Sequence, residues 1–122
     1  MAEFSPAVLE AAAREREIEL TTYGRRTGRE HRTVLWLSTD GRRLFVRSGG
    51  GPGRDWPRNL LVQPEIVLHV SAHEAPVRAR HLDAGEARSV TELVARKYGI
   101  NRAPDGSPPT PAELATFELL AT

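Results

Sequence analysis

Residues 31–48 read His31-Arg32-Thr33-Val34-Leu35-Trp36-Leu37-Ser38-Thr39-Asp40-Gly41-Arg42-Arg43-Leu44-Phe45-Val46-Arg47-Ser48, and the way this stretch folds decides the architecture. Asp40-Gly41 is a strong two-residue hairpin signal, because both residues tolerate the positive φ that such turns require. With that turn, a strand over residues 31–38 returns along the residues after Arg42. Leu37 then faces Leu44, Leu35 faces Val46 and Thr33 faces Ser48, an aliphatic row aimed at a core. On the other face Trp36 sits opposite Phe45, an aromatic cross-strand pair worth a few tenths to about 1 kcal/mol. The same register carries Arg32 and Thr33 to the start of the glycine run Gly49-Gly50-Gly51-Pro52-Gly53.

Upstream, Ser5-Pro6 followed by residues 7–16 reads as a helix with Ser5 as N-cap and Pro6 at its first position. From Glu17 the period becomes two, with Ile18, Leu20 and Thr22 on one face and Glu19, Thr21 and Tyr23 on the other, until a turn over residues 24–28. Downstream, residues 54–62 form a short helix capped by Asp55 and stopped at Gln63-Pro64. Residues 65–70 and 76–82 pair in a hairpin centred near His73, which sets His69 opposite Arg78 and His81 opposite Ile66. Residues 84–98 place Ala87, Val90, Val94 and Tyr98 on one helical face and stop at Gly99. A loop over residues 101–110 precedes Thr110-Pro111-Ala112-Glu113, a capping box opening a last helix. Its Leu114, Phe117 and Ala121 are placed to dock on the sheet or on a second subunit.

At least five short strands with turns too short for crossover helices give an antiparallel barrel or strongly curled sheet. A chain of 122 residues suits one domain spanning residues 1–122, since about two-thirds of its unfolded surface can be buried. Apolar runs reach four residues, as in residues 34–37, far short of the roughly 20 that span a bilayer. No signal-like segment opens the chain and no cysteine is present, which excludes disulfides and thiolate chemistry and fits a cytoplasmic protein.

The net charge of +1 argues against a nucleic-acid coat protein. Locally the balance differs: Arg25, Arg26, Arg29, Arg32, Arg42, Arg43, Arg47, Arg54 and Arg58 stand against Glu30, Asp40 and Asp55. That excess would concentrate an anionic ligand, although a solvated turn tip gives the same pattern. The glycine run lacks the third glycine of a dinucleotide fingerprint, where Arg54 stands, and the lysine of a Walker loop. It remains either a backbone cradle for a phosphate or carboxylate or a plain flexible connection. The four histidines are too dispersed for a metal site, and no nucleophile–base pair or catalytic carboxylate pair stands out. Tyr23 and Tyr98 are the phenols that could hand over a proton, though a phenol of pKa about 10 more often simply packs at a rim. An anion shelf without an evident catalytic side chain suits a protein whose cofactor carries the chemistry.

Leu20-Thr21-Thr22-Tyr23-Gly24-Arg25-Arg26-Thr27-Gly28-Arg29, Arg32-Thr33-Val34, Phe45-Val46-Arg47-Ser48-Gly49-Gly50 and Trp56-Pro57-Arg58-Asn59-Leu60 with Gln63-Pro64-Glu65 resemble the deazaflavin-dependent nitroreductase family. The likeness covers residues 20–70. It implies a mainly β (α+β) fold, an antiparallel split β-barrel of the pyridoxamine-phosphate-oxidase-like, FMN-binding type, Greek-key, with about six strands and peripheral helices. It also implies coenzyme F420, with FMN as the alternative, and hydride transfer from the reduced coenzyme to a small organic substrate. By position, Arg25, Arg26 and Arg32 would meet the coenzyme's phosphate and acidic tail, with Thr33 and Val34 near its ring. Ser48, Gly49 and Gly50 would form the backbone cradle, and Trp56 and Asn59 the pocket wall. Gly49 stands where the family usually has lysine, and Pro57 where it has an aromatic. Residues 44–99, with Arg96-Lys97-Tyr98-Gly99, also resemble barrel proteins of unassigned activity. The alternative to a reductase is a non-catalytic barrel binding flavin, haem or another anion. The expected partners are a small-molecule substrate and a second copy in a homodimer, with no nucleic acid and no membrane span.

Overall fold

The computed structural model describes residues 3–100, 104 and 106–122, so part of the loop expected over residues 101–110 lies outside the described residues. Ser5 accepts the Val8 N–H (3.2 Å) and Pro6 starts α1 (Pro6–Arg14), which buries Val8, Ala11 and Ala12. It ends at Arg14, two residues short of the sequence expectation, because the chain turns extended at Glu15. Seven strands follow: β1 (Ile18–Tyr23), β2 (Glu30–Leu35), β3 (Leu37–Thr39), β4 (Leu44–Arg47), β5 (Glu65–Val70), β6 (His73–His81) and β7 (Thr116–Ala121). Between them lie α2 (Asp55–Val62), α3 (Ala84–Tyr98) and the single turn α4 (Pro111–Leu114). None of the described helices is long and apolar enough to cross a membrane.

The strands form one antiparallel sheet in the order β2-β1-β5-β6-β7-β4-β3. Its edges are β2 and β3, yet only Trp36 separates Leu35 at the end of one from Leu37 at the start of the other. Neighbours in the chain can lie at opposite edges of a seven-strand sheet only if the sheet curls until its edges meet there. Beyond that corner no ladder joins β2 to β3, and the barrel is split. The corner is clamped by α3. Leu37 N–H donates to the Tyr98 hydroxyl (3.0 Å), which itself donates to the Arg16 (2.7 Å) or Leu37 (3.0 Å) carbonyl. Lys97 Nζ reaches the carbonyls of Leu37 (2.7 Å) and Ala12 (2.8 Å), and the Tyr98 ring stacks on Trp36 at 4.1 Å. The outward N–H and carbonyl of Leu37, at the free edge of β3, are thereby satisfied by side chains.

Period-two alternation fills the barrel. Leu20 pairs with Leu68, Val77 with Ile66, and Leu119 with both Ala79 and Leu44, all buried with Phe117 against α1 and Leu60 of α2. Outside, α3 lays Ala87, Val90, Val94 and Tyr98 on Phe45 and Leu82, the face read from the sequence.

The expected hairpin is corrected in two respects. The turn spans residues 40–43: Asp40 Oδ1 accepts the Arg42 (3.0 Å) and Arg43 (2.7 Å) N–H groups, and Thr39 Oγ1 accepts the Gly41 N–H. These side-chain bonds outcompete the two-residue turn. Leu37 therefore faces Val46, and Ser38 rather than Trp36 faces Phe45. Because the slip is an even number of residues, Leu37, Leu44 and Val46 keep their core face. The strand expected over residues 31–38 breaks at Trp36, and its first half pairs with β1, so Thr33 lies opposite Leu20 and not Ser48.

Three further corrections follow from local chemistry. Ser71, at φ +54°, and Ala72 make the β5–β6 connection, so β6 starts at His73, His69 faces Glu74, and His81 faces Phe117 on β7. The capping box of Thr110 and Glu113 forms, but the helix stops after one turn, and Thr116–Ala121 enters the sheet between β6 and β4. Phe117 and Leu119 alternate inward there, a period of two that the spacing of Leu114, Phe117 and Ala121 had disguised. Asp55 occupies the first turn of α2, and its N-cap, Arg54, makes no side-chain cap bond.

Candidate functional site

The β1–β2 connection and the start of α2 face each other across a cleft of about 490 Å³. Asn59, buried on α2, accepts both the Arg25 N–H (3.1 Å) and its Nη1 (2.9 Å), and Asp55 lies 3.5 Å from the same guanidinium. Asn59 therefore fixes the turn to the helix, while Asp55, with its side chain 86% exposed, adds a screened charge. Gly24 and Gly28 shape that turn, with Gly28 at φ +73°. Arg32 on β2 lines the cleft and pairs with Glu19 of β1. The Arg54 guanidinium lies against the backbone of Gly50, where any Cβ would collide with it. Among the described residues neither Arg26 nor Arg54 has an ion-pair partner.

Four arginines (25, 26, 32 and 54) thus meet two carboxylates, Asp55 and Glu19, leaving a positive excess. Thr22 also lines the cleft. It is fully buried, and its Oγ1 has no hydrogen-bond partner among the described residues. Trp56 forms a wall, braced on Phe117 at 6.0 Å.

A second cleft, of about 440 Å³, opens under α3. Phe45, Val90 and Val94 wall it, and Val34, Trp36 and Ile100 stand exposed along it. Ser38, Arg47, Thr91 and Glu113 are polar groups in its interior, and Glu17 and Thr110 stand at its margin. Thr33 borders the first cleft and Val34 the second; Arg54 borders the first and Gly49 the second. The glycine loop is anchored by Ser48 N–H to Ala115 O (3.0 Å) and Gly51 N–H to Ser48 O (3.0 Å), leaving the Gly49 and Gly50 N–H groups without partners among the described residues.

Of the residues singled out in the sequence, Arg25, Arg26, Arg32, Thr33, Trp56 and Asn59 share the basic cleft. Val34 and Gly49 line the apolar one, and Ser48 and Gly50 line neither. Thr22, Arg54 and the second cleft's Arg47 were not singled out as site residues. Thr22 sits inside the quoted Leu-Thr-Thr run, but nothing in sequence distinguishes its hydroxyl from that of Thr21, which bonds His69 at 2.7 Å. The Tyr98 hydroxyl is committed to the barrel corner, and burial raises its pKa.

A curled seven-strand antiparallel sheet, closed at one corner and flanked by helices, defines the split β-barrel class of fold. Within that class, the model of the F420H(2)-dependent quinone reductase family matches residues 9–103, and the chain belongs to that family. Its fold is similar to an F420-H2-dependent reductase, FDR-A (TM-score 0.63, 18% identity, covering 86% of this chain and 94% of that one). It is also similar to a Listeria innocua protein provisionally described as a pyridoxamine 5'-phosphate oxidase (TM-score 0.69, 13% identity, 94% and 90% covered). A third similar structure is described as a domain-swapped dimer (TM-score 0.64, 17% identity, 86% and 80% covered). No protein with a curated description matches in sequence.

Proposed function

We propose that the chain is an F420-dependent reductase whose basic cleft holds the anionic half of the coenzyme. The observation that carries this reading is the cleft's uncompensated charge: among the described residues neither Arg26 nor Arg54 has an ion-pair partner. Phosphate and carboxylate oxygens answer that charge, and arginine grips them bidentately. When bound, the reduced deazaflavin supplies a hydride for a small organic acceptor.

The chain's own residues bind and orient. Asn59 pins Arg25 so that its guanidinium meets an anion without first being ordered, while Arg26 and Arg54 add charge that is not internally neutralised. Ser48 anchors the glycine loop between the two clefts, with Gly49 bordering the apolar one and the Arg54 side chain of the basic one lying against Gly50. Thr33 and Val34, at the junction of the clefts, are the residues beside the ring. FMN is the close variant, because its phosphate presents the same chemistry. A homodimer belongs to the same reading, supported by the domain-swapped relative and by exposed Leu61, Val62 and Leu114.

Turnover tests the proposal. Reduced F420 mixed with the protein and menadione should be reoxidised at a rate proportional to protein concentration, followed by recovery of the oxidised coenzyme's absorbance. Tight binding without reoxidation by quinones or nitroaromatics would make the protein a carrier instead.

A further inference from the structure

Gly50 lies in the loop between β4 and α2, and its φ is outside the left-handed region that favours glycine, so its backbone would accept a side chain. What a side chain would meet is Arg54. An added Cβ would lie 3.0 Å from both Cζ and Nη2 of that guanidinium and closer still to Nε. The planar guanidinium therefore lies over the bare α-carbon, an approach that any other residue would block. Arg54 is exposed and, although it is the N-cap of α2, its side chain makes no cap bond. Alanine at position 50 would push this flexible side chain aside at little cost to the fold. The missing side chain thus serves the placing of Arg54 and not the conformation of the loop.

Two other arginines of the basic cleft are held by acceptors. Arg25 bonds Asn59 (2.9 Å) with Asp55 3.5 Å away, and Arg32 pairs with Glu19, so part of their charge is already answered. Arg54 is placed instead by contact with a glycine, has no ion-pair partner among the described residues, and keeps its charge for a ligand. A cation ordered before the ligand arrives binds more tightly than one that must be ordered by it. We propose that Gly50 is a positioning residue of the basic cleft: its bare α-carbon seats the Arg54 guanidinium on the cleft wall, where it grips a phosphate or carboxylate of the bound anion. The inference rests on the reading of that cleft as an anion site. It gives Gly50 a part played through Arg54 and not through its own N–H.

Calorimetric titration of the full chain with F420 and, separately, with inorganic pyrophosphate tests it in Gly50→Ala, Arg54→Ala and the double variant. Arg54→Ala should weaken both ligands about tenfold, as loss of a charged hydrogen bond gives. Gly50→Ala should weaken them about fivefold, since the displaced charge stays nearby but must be ordered on binding, and should leave the thermal midpoint unchanged. In the Arg54→Ala background, Gly50→Ala should have no further effect, because the glycine acts only through the arginine. Undiminished binding in Gly50→Ala, or the same loss with Arg54 present and absent, would overturn the proposal. Should Gly50→Ala fail to fold, the Arg54 Nε–H resonance of the unmodified chain, assigned through Arg54→Lys, decides: pyrophosphate should shift it, and an unmoved signal would overturn the proposal. Pyrophosphate binding that depends on Gly50 without any F420 binding would sink the coenzyme reading and leave this inference standing. F420 binding indifferent to Gly50 would do the reverse, and binding of neither ligand would overturn both.

Discussion

Thr22 shows how single residues in the basic cleft divide between folding and binding. Its buried hydroxyl has no partner, and valine would fill the same volume without that cost. Thr22→Val should raise stability by about 1 kcal/mol, read from the urea midpoint, and leave F420 binding unchanged, because the hydroxyl has no surface in the cleft. A destabilised variant would show that the hydroxyl is already satisfied. Asn59 acts through Arg25: Asn59→Ala removes the bond that orders the Arg25 guanidinium and should weaken coenzyme binding about fivefold in a calorimetric titration, since such a bond is worth about 1 kcal/mol. Arg32→Ala should weaken binding more than Arg42→Ala, because Arg32 lines the cleft and Arg42 sits on the far β3–β4 turn. Arginines 25, 26 and 32 were legible in sequence because they crowd a turn flanked by glycines. Thr22 and Arg47 were not, because what sets them apart is a missing partner, which only the packed neighbours reveal.

At the scale of elements, the connections carry the predictions. Gly51 stands at φ +87° with Pro111 Cβ 3.0 Å from where its own Cβ would lie. Gly51→Ala should cost about 2 kcal/mol from the left-handed backbone alone, measurable by thermal unfolding. The α3–α4 tether makes a pH prediction. Arg88 holds the Glu113 carboxyl down to about 2, from an ordinary 4.5, so its contribution to stability is full above about pH 4.5 and is lost as the pH falls towards 2. Glu113→Gln should flatten the acid limb of the stability curve in that interval and lower neutral-pH stability by about 2 kcal/mol. Parallel acid limbs in the two proteins would contradict it. The helices α1 and α3 were legible to within two residues because caps and one-sided apolar faces are local signals. The β3–β4 and β5–β6 registers were not, because Asp40, Thr39 and Ser71 set turn geometries that residue identity alone leaves open. β7 was missed because a capping box truly begins a helix at Thr110, and only the vacancy between β4 and β6 ends it.

At the scale of the molecule, the sheet closes through one residue, and that closure lays out both clefts. Trp36 carries the chain from β2 to β3, so Arg32 and Thr33 are left on the split edge facing α2, while Val34 and Trp36 turn towards α3. The antiparallel curl was legible from alternation and short turns. The meeting of its edges was not, since it depends on which strands lie between β1 and β4. The arginine excess of the β1–β2 connection and the α2 start is thereby gathered on one side of the barrel, and the apolar cleft lies beside it. The central claim is that this basic side holds the anionic half of F420, and calorimetric titration of the coenzyme-free protein with F420 and with FMN tests it most directly. The account predicts micromolar F420 binding that weakens about tenfold in Arg26→Ala and falls with added salt, as expected of an anion held by arginines. Binding of neither cofactor, or F420 binding indifferent to both Arg26→Ala and salt, would contradict it.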